Sequence, residues 1–72
     1  MTLLNATEGR EYIIDRIDTN DEELDAFLFS LGCYQGEPIT VIKRRKSGLT
    51  ISIKDGRYAI DPGLASAISV KG

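Results

Sequence analysis

Leu28-Phe29-Ser30-Leu31-Gly32-Cys33-Tyr34-Gln35-Gly36-Glu37-Pro38-Ile39-Thr40-Val41 decides the fold, because the hydrophobic period changes within it. Up to Leu31 the apolar residues follow a helical repeat. Leu24, Phe27, Leu28 and Leu31 stand at offsets of 3, 4 and 7, which is one face of a helix. Gly32 follows the last of them and suits a left-handed cap. Beyond Gly36 the spacing becomes that of a strand, with Pro38 at its start, where a missing amide is tolerated. A helix thus ends and a sheet resumes within a few residues.

Upstream, Thr19-Asn20-Asp21-Glu22 reads as a capping box, with Asn20 and Glu23 as an alternative register. Acidic residues gather in the first turn, where they complement the helix dipole. The expected helix runs from about 20 to 31 and packs Leu24, Phe27, Leu28 and Leu31 on the sheet. Before it, Leu3-Leu4 is a short apolar start, and Arg10 to Asp18 is a strand whose alternation changes phase. A bulge near Asp15-Arg16 reconciles its two sets of apolar residues.

Downstream, Ile39 to Arg44 is a second strand and Lys46-Ser47-Gly48 a turn. Leu49, Ile51 and Ile53 alternate with Thr50, Ser52 and Lys54, so the third strand has one buried and one wet face. Asp55-Gly56 is the expected hairpin turn, and Arg57 to Ile60 is the fourth strand. Asp61 followed by Pro62 predicts a short helical turn near 61–66, and Ala67 to Val70 closes as a fifth strand. The expected class is mainly β. It is a small, partly open antiparallel barrel of about five strands with one inserted helix, filling residues 1–72 as a single domain.

Composition narrows the function. The 72 residues hold 42% apolar and 28% charged residues, ordinary for a globular domain. So short a chain cannot spare core for a deep substrate cavity. There is no histidine and only one cysteine, Cys33. That excludes an internal disulfide, a histidine-based triad and the usual nitrogen and sulfur metal ligands. Asp21, Glu22, Glu23 and Asp25 point around the helix rather than at one centre, so no metal site is expected there. Cys33 is expected as buried packing, because a helix carboxyl end disfavours a thiolate. We expect no enzyme activity and no cofactor.

The net charge of −2 gives no general reason to expect nucleic acid. Lys43, Arg44, Arg45 and Lys46 nevertheless form a basic run opposite in sign to the helix start. It reads either as a contact for an acidic surface or as a solvated rim that protects a sheet edge. Phe29, off the main helical stripe, and Tyr34, beside the glycine turn, are the candidate aromatic contacts. No segment resembles a signal peptide or a membrane span. The lone cysteine suggests a reducing compartment, so the chain is expected in the cytoplasm as a monomer or weak oligomer.

The residues from Leu28 to Val41 resemble the FeoA family, in which a helix ending in leucine-glycine leads through a glycine turn into an alternating strand. Ala65, Ile68 and Val70 match the family's closing Ala-x-x-Ile-x-Val. Leu4, Gly9, Tyr12, Ile14 and Ile17 are similar to its opening strand. Lys46-Ser47-Gly48-Leu49 and Asp61 depart from the family's usual loop and from its usual arginine. The resemblance implies a Src-homology-3-like barrel serving as an accessory protein of ferrous iron uptake. The implied partner is the cytosolic GTP-binding region of the FeoB-type membrane transporter, which would recruit the protein to the inner membrane face. The same barrel serves as the carboxy-terminal domain of iron-dependent repressors. That allows a regulatory alternative acting through a separate DNA-binding protein.

Overall fold

The computed structural model describes residues 1–72. Strands β1 (Glu11–Ile17), β2 (Pro38–Arg45), β3 (Gly48–Ile53), β4 (Gly56–Ile60) and β5 (Ile68–Lys71) form one antiparallel sheet in the order β4-β3-β2-β1-β5. Helix α1 (Glu22–Leu31) joins β1 to β2, and the short α2 (Pro62–Ser66) joins β4 to β5. The sheet curls around its core but is not closed by hydrogen bonds, since β4 and β5 remain its two edges. The expected mainly β architecture with one inserted helix is therefore present, in the form of an open barrel.

The core follows strand alternation. Tyr12 and Ile14 of β1, Ile39 and Val41 of β2, Leu49, Ile51 and Ile53 of β3, and Ile68 and Val70 of β5 are buried together with Leu3, Leu28 and Cys33. The phase change anticipated in β1 is a bulge, with the register to β5 shifting between Ile14 and Arg16. A second bulge lies in β2, between Val41 and Lys43. It turns Ile42 outward and leaves Lys43, Arg44 and Arg45 all exposed.

Three local expectations are corrected. The cap of α1 is Asp21 rather than Thr19, and its Oδ1 accepts from the amides of Glu23 and Leu24 at 2.9 and 3.4 Å. Asn20 takes a left-handed φ of 60°, and the helix starts two residues later than expected. The Thr19 hydroxyl instead donates to the Asp25 carboxylate. Second, the helix stripe does not pack along its whole length: Leu28 is buried and Leu31 half-buried, whereas Leu24 and Phe27 are 39% and 47% exposed. Only the carboxyl half of α1 reaches the core, so a correct period overstated the buried face.

Third, the β3–β4 turn is Lys54-Asp55, not Asp55-Gly56, because Ile53 pairs with Gly56. Lys54 itself adopts φ 51°. Gly56 lies under the Tyr58 side chain, and a Cβ there would stand 2.4 Å from its hydroxyl oxygen. The glycine serves that overlap rather than the turn. The expected apolar start takes the form of a 3-10 turn, Leu3–Asn5, capped by Thr2. It seats Leu3 fully in the core.

Other signals read as written. Gly32 ends α1 at φ 102°, donating to the Leu28 and Phe29 carbonyls. Asp61 caps α2, accepting from the Leu64 amide at 2.7 Å, with Pro62 in the first turn.

Candidate functional site

The carboxyl end of α1 and the glycine turn that follows it hold the aromatic candidates. Gly32 bends the chain so that Cys33 returns into the core while Tyr34 stays at the surface. Phe29, one turn earlier on α1, is 65% exposed, and its ring centroid lies 5.0 Å from that of Tyr34 at an interplanar angle of 39°. This tilted contact leaves one ring of the pair open to solvent. The two rings wall a groove that also takes in Ile17 and the carboxylates of Asp15 and Asp25, with Cys33 at its base.

Lys54 lies against Tyr34 from outside this groove and lines a separate one with Glu11, Glu37 and Thr40. Its ammonium lies 5.0 Å from the Tyr34 ring centroid and 3.1 Å from Glu37 Oε2. Its aliphatic stem crosses Gly32, where a Cβ would come within 2.9 Å of Lys54 Cγ. Polar contact with Tyr34, and then with Glu37, raises the Lys54 pKa above its ordinary value. Sequence reasoning missed Lys54 because nothing local links a hairpin tip to a turn about twenty residues earlier.

Burial pushes the Cys33 thiol up to about 11. With no base beside it, the group is a packing element at neutral pH. No group of three or more histidine, cysteine, aspartate or glutamate side chains comes together as a metal cage.

The basic run lies elsewhere, on β2 and the turn after it. Arg44 turns back on its own fold: Nη2 donates to the carbonyls of Leu3, Leu4 and Ala6, and its amide donates to Glu8 Oε2 at 2.6 Å. It thereby caps the carboxyl end of the 3-10 turn. Lys43, Arg45 and Lys46 are exposed and form no ion pair. No groove is lined by both the aromatic pair and the basic run, so the six candidates form two separate surfaces. No helix is long and apolar enough to cross a membrane.

A five-stranded antiparallel sheet, a helix between its first two strands and a surface aromatic pair define a small Src-homology-3-like domain. Comparison with known proteins agrees. The FeoA domain model matches residues 1–72, and the chain belongs to the FeoA family. The crystal structure of an iron uptake regulatory protein, FeoA, superposes with a TM-score of 0.88 at 28% identity, covering 99% of this chain and 95% of that one. Stenotrophomonas maltophilia FeoA, a prokaryotic SH3 domain protein crystallised with zinc, gives 0.87 at 17% identity over 99% of this chain and 89% of that one. A manganese-dependent transcriptional repressor gives 0.89 at 22% identity, covering 99% of this chain but 40% of that one, a likeness of fold alone. No curated protein matches this chain.

Proposed function

We propose that this protein is a non-catalytic accessory protein of ferrous iron uptake that docks onto the cytosolic GTP-binding region of a FeoB-type membrane transporter. The observation that carries the reading is the family match across the whole chain. The surface supports it. Phe29, exposed, and the half-buried Tyr34 beside it offer an aromatic pair at the helix end, the kind of anchor that dominates protein interfaces. The grooves of the molecule are shallow and contain no nucleophile–base pair, an arrangement suited to contact rather than turnover. Lys43, Arg45 and Lys46 supply a second, electrostatic contact that steers an acidic partner surface. Docking brings the protein to the inner membrane face without insertion.

The regulatory alternative draws on the repressor fold, but that likeness rests on 22% identity. The family match favours transport. The test is an amide NMR titration of the labelled chain with the transporter's GTP-binding domain, in separate GTP-analogue and GDP states, with a ferrous-iron control. Contiguous shifts around Phe29 and Tyr34 with the domain, and none with iron alone, are expected. No response in either nucleotide state up to millimolar domain sinks direct docking.

A further inference from the structure

The two edges of the sheet end differently. Along β5, the Val70 amide donates to the Met1 carbonyl at 2.9 Å and Thr2 bridges Ser69, so the amino-terminal residues cover that edge. Nothing covers β4. Its one ladder is with β3, and residues 56–60 make no backbone hydrogen bond outside regular structure. A free edge is a template for another strand unless it is blunted by proline, lysine or a bulge. Strand β4 carries neither proline nor lysine, and its register with β3 runs without a shift.

The hairpin fixes which backbone groups are free. A two-residue turn places Ile53 and Gly56 in a hydrogen-bonded pair, and such pairs recur at every second residue. Gly56, Tyr58 and Ile60 therefore bond inward to β3, while the amides and carbonyls of Arg57 and Ala59 point outward. The Asp61 amide continues the same phase, while its carbonyl turns into α2 and accepts from the Ala65 amide at 3.0 Å. The side chains of Arg57, Ala59 and Asp61 are all exposed.

We propose that β4 pairs antiparallel with β4 of a second copy of this chain, about a two-fold axis through Ala59. Charge selects that register. An axis through Arg57 sets two guanidinium groups face to face, and an axis through Tyr58 sets Asp55 against Asp61 of the other copy. Both are like-charge pairs, which are destabilising across strands. With the axis at Ala59, Arg57 of each copy faces Asp61 of the other. The small Ala59 side chain lets the strands approach at the centre. Asp61 Oδ1 accepts from the Leu64 amide, and the second carboxylate oxygen stays available to Arg57 of the other copy. Moving the axis further along brings Pro62 and α2 into the pairing and stops it. A five-residue edge buries much less than the roughly 1,600 Å² of a standard stable interface, so the dimer forms at high protein concentration and weakens with salt.

Sedimentation equilibrium on the full chain alone, from micromolar to millimolar, tests this without any transporter, so its failure is distinct from failure of docking. The expected result is a monomer–dimer equilibrium, with dilution-dependent amide shifts confined to Arg57–Asp61. Ala59→Pro removes an outward amide that has no partner within the monomer, and should abolish the dimer while leaving the circular dichroism unchanged. Arg57→Glu should weaken dimerisation on the order of tenfold or more, by turning two attractive cross-strand pairs into repulsive ones. If Ala59→Pro does not fold, Arg57→Glu and a cysteine pair of tests decide. Ala59→Cys should cross-link under copper-phenanthroline oxidation, since hydrogen-bonded pairs place their Cα atoms about 5.5 Å apart, and Tyr58→Cys should not. Cys33 is buried and does not compete. A chain that stays monomeric to millimolar overturns the proposal. So does a dimer indifferent to Arg57→Glu, or one that cross-links through position 58 instead of 59.

Discussion

The Lys54 ammonium sits 5.0 Å from the centre of the Tyr34 ring, tying the tip of the β3–β4 hairpin to the turn that presents the aromatic pair. The same ammonium reaches Glu37 at 3.1 Å, so one side chain joins three segments of the chain. It does so from a left-handed backbone position, φ 51°, which an L-residue occupies only against a steric cost. The contacts offset that cost.

Lys54→Met keeps the aliphatic stem over Gly32 and removes the charge. We expect the Tyr34 and Glu37 amides to shift and the melting temperature to fall at neutral pH. The sign of the pH dependence follows from the raised Lys54 pKa. Its contribution is full below the ordinary lysine value and is lost as pH rises through the folded-state value. Thermal melts across the alkaline range should show wild type and Lys54→Met converging above that point; a constant gap would contradict the assignment.

Cys33 titrates at about 11 because it is buried. The unfolded chain releases this proton first, so stability falls as pH climbs from the ordinary thiol range toward 11. An aromatic disulfide reagent should react slowly with the native chain and rapidly in denaturant. Cys33→Ala should tolerate alkaline pH better than its neutral stability suggests. Cys33→Ser, which puts a hydroxyl among apolar neighbours, should cost about 1–3 kcal/mol. Denaturant titration measures both.

Arg44 holds the amino-terminal turn through the carbonyls of Leu3, Leu4 and Ala6. Arg44→Ala should cost about 1.5–3 kcal/mol, the range for hydrogen bonds made by a charged group. Amide exchange should quicken at Asn5 and Ala6 ahead of the rest of the sheet. Arg45→Ala, on the same strand but with no carboxylate partner, should change stability by no more than ~0.5 kcal/mol. Equal effects at the two positions would refute the distinction.

Leu28 and Phe29 are adjacent on α1 but lie on opposite sides of the energetics. Leu28 is fully buried, and Leu28→Ala should cost about 2–5 kcal/mol in urea unfolding. Phe29 is 65% exposed. Phe29→Ala should leave stability within ~0.5 kcal/mol while weakening docking at least tenfold. A Phe29→Ala variant that binds as well as wild type removes this ring from the interface.

Gly48 shows how far local reading extends. It stands in the expected turn, and its φ is 152°. Its real constraint is distant: a Cβ there would lie 2.2 Å from the Ile60 carbonyl oxygen. The turn was legible because glycine marks turns by local chemistry. The clash was not, because Ile60 approaches only once β3 and β4 have paired. The Lys54-Asp55 turn is a similar case. The Asp-Gly pair pointed one residue downstream, but the pairing of Ile53 with Gly56 and the Tyr58 ring over Gly56 set the register. Of the site candidates, Phe29 and Tyr34 stood close in sequence and meet in space. Arg44 looked like its basic neighbours until the fold brought three carbonyls to its guanidinium.

The amino-acid sequence by itself determined the element order, the apolar face of β3, the bulge in β1, the glycine stop of α1 and the proline-led start of α2. Each depends on period, capping or backbone preference within a few residues, and such preferences act before the chain folds. Only the tertiary structure decided how much of α1 reaches the core, which basic residue is spent on the fold, where Lys54 rests and which sheet edge stays free. Those outcomes depend on which segments meet. Burial and charge pairing are set by neighbours far away along the chain, and no local pattern carries their positions.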